Sequence, residues 1–295
     1  MTHQQFYENF STEEACRAHL KSKREEIGVW CKNCDYHEHY WHAGKQCFQC
    51  KRCGFRTSLR NGTVMQASKL PIKIWYECIH LMTATKKAIS ALEMQRQLGL
   101  KRYEPVWYMM QKIRAVMGVC NMAEDMKGTV EIDDAFFNVD SDKNDDEPRK
   151  RGRGSQKKQP VVLMVETAKG KDVKGWVGKI KAFSMDRLDS ESILELEAMN
   201  LTETKYYKTD GYSIYRKLDA KKHRRFKVPG HLADVLLPWV HIAISNFKRT
   251  FLGIYHHMNT RYLQDYLDEM VYKFNNRYTV DRFNPLLNNA LQPIW

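Results

Sequence analysis

The sequence lacks a long hydrophobic run, and that absence narrows what the protein can be. No uninterrupted apolar stretch reaches about 18 residues, so we expect no membrane-spanning helix. The first residues, Met-Thr-His-Gln-Gln-Phe-Tyr, also lack the basic and then apolar pattern of a signal peptide. We therefore expect the protein to remain inside a cell, in the cytoplasm or nucleoid of a prokaryote or in the nucleus of a eukaryote.

Negative charge is scarce relative to positive charge. The chain has 48 Lys and Arg residues against 35 Asp and Glu residues, which leaves a formal net charge of +13. A surplus of this size favours a polyanionic partner, and double-stranded DNA is the partner that we expect. Wholesale disorder is excluded, because 43% of the residues are hydrophobic and seven are Trp. At 295 residues, two or three domains are expected.

Two C-x-x-C pairs near the N-terminus predict a metal site. They are Cys31-Lys-Asn-Cys34 and Cys50-Lys-Arg-Cys53, with 15 residues between them. Inside a reducing cell, clustered cysteines are more often metal ligands than disulfides. Two such pairs on short hairpins supply four thiolates for a tetrahedral zinc ion, which is the arrangement of a zinc ribbon.

Cys47 offers an alternative ligand, because Cys47 and Cys50 form a C-x-x-C pair of their own. We prefer Cys50 and Cys53, since Gly54 directly after them can adopt the left-handed turn of a zinc knuckle. Three nearby histidines are less favoured substitutes: His37, His39 and His42.

Residues 71–119 have the periodicity of helices. One helix over about 86–98 ends at Gly99, and the next covers about 103–117. Two helices joined by a short turn that contains Gly are typical of a helix-turn-helix, and the positive net charge favours that interpretation. Three basic residues are the predicted DNA contacts of this segment: Lys101, Arg102 and Lys112.

From residue 129 onward the pattern predicts a mixed α/β sheet. The expected elements are strands at about 129–138, 160–168, 174–184 and 204–209, with a helix at about 189–199. The predicted fold class is multidomain α+β. Its domains are an N-terminal helix and zinc ribbon (1–64), a helix-turn-helix domain (65–124) and a mixed α/β domain (125–295).

The segment between the first two of these strands is strongly charged. Its acidic first half gives way to Pro-Arg-Lys-Arg-Gly-Arg-Gly-Ser-Gln-Lys-Lys, which cannot build a core and predicts an exposed loop. Contact with DNA phosphates is the preferred interpretation, and a nuclear-import signal is the alternative. The predicted contacts are Arg149, Lys150, Arg151 and Arg153.

The first strand carries acidic residues in an alternating pattern. Val130 and Ile132 alternate with Glu131 and Asp133, so the two acids share one face and Asp134 points to the other. An acid on a strand face is costly unless it is paired, so we expect polar partners for Glu131 and Asp133 further along the chain.

The partners that the sequence offers lie far away along the chain. Asp210 follows the fourth strand, and a helix that opens near Leu237 carries His241, Ser245 and Lys248 on one face. We expect Asp133, Asp210 and His241 to meet in one site. A further helix over 260–277 carries an apolar stripe and is interpreted as scaffold.

Taken together, these segments resemble insertion-sequence transposases of the DDE type, in the group related to the eukaryotic Merlin elements. The similarity covers roughly residues 28–278. Its most specific part is Lys-Arg-Thr-Phe-Leu-Gly-Ile-Tyr-His-His near the C-terminus, followed by Tyr-Leu-Gln-x-Tyr-Leu-Asp-Glu-x-x-Tyr-Lys-Phe-Asn-Asn-Arg. The resemblance implies a ribonuclease-H-like fold for the mixed α/β domain. It also implies metal-dependent DNA strand cleavage and strand transfer at terminal inverted repeats.

Carried over residue by residue, the first two family acids fall on Asp133 and Asp210. The third is usually Glu, seven residues before a Lys, and counting back from Lys248 reaches His241 instead. Imidazole prefers softer ions than Mg²⁺, so either this protein tolerates Mn²⁺-like ions with His241 as a ligand, or His241 has another role, or Asn246 takes the third position. The expected catalytic ion is Mg²⁺ or Mn²⁺. Two ions about 4 Å apart would then act on the phosphodiester, with Asp133 bridging them. Lys248, followed by Arg249, would hold DNA phosphate.

Two other functions are compatible with these residues. The chain would be a zinc-ribbon DNA-binding regulator if the acidic site were inert, or a structure-selective nuclease if cleavage needed no terminal repeats. A transposase is the preferred interpretation, and we expect it to act as a homodimer or higher oligomer on terminal-repeat and target DNA.

Overall fold

The computed structural model describes residues 1–123, 125–140, 157–168, 176–226, 235–255 and 258–292. The chain folds into two compact units: Met1–Cys120 together with Tyr278–Trp295, and Asn121–Arg277. The residues after 277 were assigned to the third domain from the sequence, but they belong to the same unit as the N-terminus. The division of the chain into three domains stays a prediction.

The first unit begins with helices α1 (His3–Asn9) and α2 (Glu13–Ile27), each opened by a threonine, Thr2 or Thr12, whose side chain accepts a backbone hydrogen bond. Helix α3 (Ile72–Ala84) starts after Pro71 and has no capping side chain of its own. Glu13 supplies the cap, because its carboxylate accepts hydrogen bonds from Ile72 N and Lys73 N.

Three short antiparallel strands follow α2: β1 (His39–His42), β2 (Cys47–Cys50) and β3 (Arg56–Ser58). Next come α4 (Ala91–Gln97) and α5 (Tyr103–Met122). Helix α4 begins at Ala91 rather than near 86, because Ser90 caps it by accepting a hydrogen bond from Glu93 N. None of the described helices, including the 20 residues of α5, has the length and apolar character needed to cross a membrane.

The second unit is built on a five-stranded sheet with the order β6-β5-β4-β7-β8. Strands β4, β5 and β6 pair antiparallel, whereas β7 and β8 run parallel to β4. The strands are β4 (Gly128–Asn138), β5 (Lys158–Ala168), β6 (Trp176–Ser184), β7 (Thr204–Thr209) and β8 (His223–Arg225). The helices are α6 (Ser190–Asn200), α7 (Pro238–Ile254) and α8 (Leu263–Asn275), while α9 (Phe283–Ala290) belongs to the first unit.

The alternation predicted for β4 separates two hydrophobic cores. Val130 and Ile132 face a core that includes residues of α6, whereas Ala135 and Phe137 face a core built with α7 and α8. Because side chains of a strand alternate, Glu131 and Asp133 lie on the α7 side of the sheet. The predicted separation of Asp133 and Asp134 onto opposite faces agrees with this packing.

Candidate active site

Asp133 and His241 meet although 107 residues lie between them in the chain. The imidazole Nε2 of His241 is 3.2 Å from Oδ2 of Asp133, with side chains 26% and 15% exposed. Helix α7 packs across β4 and β5 through Val240, Ala243 and Phe247, so the first turn of the helix overlies the acidic part of β4. The pair is therefore partly shielded from water but still reachable.

Glu131 fixes the start of the helix that carries His241. It is 2% exposed, and its Oε2 accepts hydrogen bonds from Trp239 N at 2.9 Å and Val240 N at 3.0 Å. Pro238 occupies the first turn and no side chain of α7 caps it, so this distant carboxylate satisfies backbone groups that would otherwise be unpaired. Burial raises the pKa of Glu131, although the two N–H donors and the charges of Lys208 and His241 oppose that rise.

Asp210 follows β7 and is held in a turn. Its Oδ1 accepts a hydrogen bond from Tyr212 N at 2.9 Å. The buried Tyr215 connects it electrostatically with the acids of β4. Burial raises the pKa of Tyr215, and the charges of Asp134, Asp133 and Asp210 raise it further. The Tyr215 hydroxyl donates to Asp134 Oδ1 at 3.4 Å. All three carboxylates thus lie within the electrostatic reach of one phenol.

A cavity of about 700 Å³ opens beside the Asp133–His241 pair. Its lining includes Asp133, His241, Ser245, Lys248 and Lys158. The Lys248 ammonium lies 5.8 Å from the ring centre of Phe137, so it extends over the sheet at the cavity wall. Asn246, the alternative third residue, is exposed on α7 and does not line this cavity.

The acidic residues can be tested for their fit to a divalent ion. Adjacent ligands of an octahedral ion with bonds of about 2.1 Å lie about 3 Å apart, close to the 3.2 Å between Asp133 and His241. Two carboxylates and an imidazole are a donor set that suits Mn²⁺ better than Mg²⁺. Within the described residues, however, only the cysteines form a group of three or more potential ligands within 4.8 Å of one another. Asp210 therefore stands outside the close pair.

The cysteine group consists of Cys31, Cys34, Cys50 and Cys53. Neighbouring sulfurs are 3.4 to 3.7 Å apart. Four thiolates around zinc, with Zn–S bonds of about 2.3 Å, would lie about 3.8 Å apart, so the cluster fits a tetrahedral zinc site. Cys47 lies outside the group, in β2 opposite Ser58.

The two knuckles have the same backbone geometry. Asp35 N donates to Cys31 O, and Gly54 N donates to Cys50 O, at 2.9 and 3.0 Å. The residue after each pair has a positive φ, +53° at Asp35 and +73° at Gly54. The left-handed turn expected at Gly54 is therefore present, and its counterpart at Asp35 was not anticipated.

The residues predicted to contact DNA have different surroundings. Lys101 and Arg102 are exposed just before α5. The ammonium of Lys112 instead donates to Val64 O and Gln66 O, so it already ties α5 to a loop of its own unit. Its role in DNA binding stays a prediction, and in DNA-bound protein it would have to compete with these two contacts.

The other predicted DNA contacts lie on α7 and in the charged segment after β4. Lys248 and Arg249 are exposed on α7. Arg149, Lys150, Arg151 and Arg153 lie outside the described residues. Their proposed contact with DNA phosphates is untested by the structure.

Sequence reasoning missed one residue of this site, Tyr215, and the role of another, Glu131. Tyr215 was not considered, and its only sequence signal is its position five residues after Asp210, where a short 3-10 helix, Ser213–Lys217, turns it into the core. Glu131 was noticed as a neighbour of Asp133, but its capping of α7 depends on how the helix packs.

The family described as ISXO2-like transposase domain matches residues 125–275. No curated protein matches. One similar structure is the Mos1 strand transfer complex, at 9% identity and a TM-score of 0.26, and the alignment covers 74% of this chain and 78% of that chain. Another is a pre-cleavage Mos1 transpososome, at 9% identity and a TM-score of 0.25, with 74% of this chain and 79% of that chain covered. Similarity at these TM-scores is too weak to support a structural argument.

Proposed function

This chain belongs to the ISXO2-like transposase domain family, and from that premise we propose that it binds the terminal inverted repeats of a mobile element and cleaves and joins DNA strands there. The observation that carries the proposal is the 3.2 Å contact between Asp133 and His241. It brings together two of the three residues that the resemblance assigns to catalysis. The sheet, with three antiparallel strands followed by two parallel ones, supports a ribonuclease-H-like fold.

Each side chain of the site has a distinct task in this proposal. Asp133 and Asp210 would hold divalent ions, and His241 would complete the coordination of one ion or orient the Asp133 carboxylate. Such ions activate the nucleophile and offset negative charge on the leaving oxygen during phosphodiester cleavage. Lys248 at the cavity wall supplies a positive charge for a DNA phosphate.

Two neighbouring groups maintain this arrangement. Glu131 holds the first turn of α7, so that His241 stays opposite Asp133. Tyr215 remains protonated near neutral pH, because burial and three nearby carboxylates raise its pKa. It therefore acts as a hydrogen-bond donor to Asp134 rather than as a base.

The cysteine cluster and the helices of the first unit would recognise DNA. Zinc held by Cys31, Cys34, Cys50 and Cys53 would stabilise the ribbon, whose core is otherwise small. Helices α4 and α5 would form the helix-turn-helix, with Lys101 and Arg102 exposed at its turn. Assembly as a dimer or higher oligomer on paired element ends is part of the proposal.

The test is a cleavage assay with the full chain and labelled duplexes that end in the inverted repeats flanking the source gene. Wild type, Asp133→Asn and Asp210→Asn are compared with Mn²⁺ and with Mg²⁺. We expect cleavage by wild type only, with higher activity in Mn²⁺. A control duplex with scrambled repeats measures whether cleavage depends on the repeats.

The outcomes separate the three functions. Repeat-dependent cleavage that both variants lose supports the transposase. Equal cleavage of the scrambled duplex indicates a structure-selective nuclease. Repeat binding without cleavage by wild type in either metal indicates a DNA-binding regulator.

A further inference from the structure

A positively charged surface lies on the second unit, at the β7–β8 edge of its sheet. Its central residue is Tyr206, which is 38% exposed. The Lys205 ammonium lies 5.6 Å and the Arg224 guanidinium 5.3 Å from the Tyr206 ring centre. We call Lys205, Tyr206, Lys208 and Arg224 the basic edge.

The strand register places Tyr206, Lys208 and Arg224 of the basic edge on the same face as the candidate active site. Glu131 of β4 is paired with Lys208 of β7, and Lys208 with Arg224 of β8. The buried Tyr207 faces the α6 core, so its neighbours Tyr206 and Lys208 face the α7 side. Asp133 lies two residues beyond Glu131 on that face, a step of roughly 7 Å along the strand.

Positive charge in this region exceeds the negative charge nearby. Between residues 204 and 226 the chain has two acids, Asp210 and Asp219. The basic residues there are Lys205, Lys208, Arg216, Lys217, Lys221, Lys222, Arg224 and Arg225. Across the described part of the chain, none of these cations forms an ion pair with a carboxylate. The surface therefore attracts a polyanion.

The opposite edge of the sheet differs. Side chains of α8 and the residues after it occupy the outer backbone groups of β6, through Gln264, Asn275 and Arg277. At the β8 edge the solvent-facing groups are long cations around an aromatic ring. Cations of this kind bind phosphates, and an exposed ring offers a stacking surface for a sugar or base.

We propose that the basic edge is a binding site for the phosphate backbone of duplex DNA beside the candidate active site. This inference deepens the proposed function and rests on it for the identity of the DNA. Phosphate contacts carry no sequence information, so the site itself can be tested without terminal repeats or catalysis.

The first test is the salt dependence of binding to a 30-base-pair duplex of random sequence, measured with the full chain. The variant is Lys205→Gln/Arg224→Gln. Each phosphate contact contributes about 0.9 to the slope of log K against log salt, so the slope should fall in magnitude by about 2. The matched control is Lys23→Gln/Arg187→Gln, which removes the same charge from two cations that already face carboxylates, Glu26 and Asp189. The control should leave the slope unchanged.

The second test locates the DNA. Replacing Tyr206 by the photo-crosslinker p-benzoylphenylalanine should produce a crosslink to the duplex, whereas the same replacement of Trp176, 56% exposed on the opposite edge strand, should not. A slope and crosslinking yield equal to those of the controls would overturn the inference. Because neither readout needs cleavage, an inactive enzyme with an intact basic edge would contradict only the proposed function.

Discussion

Helices α7 and α8 pack against the same face of the same sheet, but their polar side chains do different things. In α7, His241, Ser245 and Lys248 face the cavity beside Asp133. In α8, Gln264 and Asn275 face the edge strand β6 and pair with its backbone. Helix α7 therefore places polar side chains in the candidate site, whereas α8 uses its polar side chains to bind the outer backbone of β6.

The contacts of α8 follow the backbone of β6. Asn275 accepts from Ile180 N at 2.8 Å and donates to Ile180 O at 2.9 Å, as a neighbouring strand would. Gln264 pairs in the same manner with Ser184 N and Ala182 O. An exposed strand edge is a site of unwanted pairing, so these amides both stabilise the sheet and block its extension.

A sequence motif can be specific to a family without taking part in catalysis. The Tyr-Leu-Gln and Asn-Asn-Arg segments are part of the most specific sequence resemblance, yet Gln264, Asn275 and Arg277 in these segments bind the backbone of β6. We therefore expect variants of α7 to change activity more than stability, and variants of α8 to do the reverse.

The largest effect should come from His241→Ala. Loss of the contact with Asp133 should lower the cleavage rate at least about 100-fold, since partners of metal-binding carboxylates typically matter 10- to 100-fold and His241 is also a candidate ligand. The free energy of unfolding should change by less than about 1 kcal/mol, because the side chain is partly exposed. Cleavage kinetics and urea unfolding measure the two quantities.

Asn246→Ala is the matched control on the same helix. Its side chain is exposed outside the cavity, so activity should be unchanged. If Asn246→Ala abolishes cleavage and His241→Ala does not, the third catalytic position belongs to Asn246.

The next largest effect should come from Glu131→Ala, which links the two kinds of role. Trp239 N and Val240 N would lose their acceptor, and we expect a loss of about 2 to 3 kcal/mol in the free energy of unfolding together with reduced cleavage. Glu131→Gln keeps an acceptor oxygen and should retain most of both. Equal damage from the two variants would show that the negative charge, rather than capping, is what α7 requires.

Asn275→Ala should have a smaller effect, confined to stability. Two hydrogen bonds to Ile180 would be lost, at about 1 to 2 kcal/mol, while cleavage per folded molecule stays constant. Asn276→Ala is the control, because that amide donates only within its own helix, to Tyr272 O. A fall in specific activity for Asn275→Ala would break the distinction between the two helices.

The smallest effect at neutral pH concerns Asp268 of α8, whose contribution to stability is present only at lower pH. Burial, with a contribution from the charge of Asp265, raises the pKa of Asp268 from 3.8 to about 7. The folded protein therefore retains a proton that the unfolded chain loses, and stability should decline as pH rises from about 4 to 7 and level off above. Asp268→Asn should remove that decline, which a pKa raised from 3.8 to about 7 sets at roughly 4 kcal/mol over the full range and roughly 2 to 3 kcal/mol between pH 5 and pH 8. Thermal unfolding at pH 5 and pH 8 measures it, and an unchanged pH dependence would contradict the assignment.

Much of the local architecture was predictable. The strands near 129–138 and 204–209 occur within a residue of their expected bounds, because alternating apolar residues in β4 report directly on a half-buried sheet. The helix near 86–98 was predicted too long, since the capping role of Ser90 was overlooked. Nothing in the sequence indicates that residues 278–295 lie in the same compact unit as the N-terminal helices. Phe283 packs on Phe6 and Tyr76, and sequence spacing holds no information about such a return of the chain.

Features that depend on short spacing can be predicted from the sequence alone. They are the two C-x-x-C knuckles and the strand that places Glu131 and Asp133 on one face. Backbone geometry relates residues a few positions apart in a fixed way, so a pattern is enough. Other features are visible only in the folded chain. His241 contacts Asp133, Glu131 caps α7, the amides of α8 pair with β6, and most of the basic edge lies on the same face as the acids. Those contacts depend on sheet register and helix packing, which bring together residues tens to hundreds of positions apart.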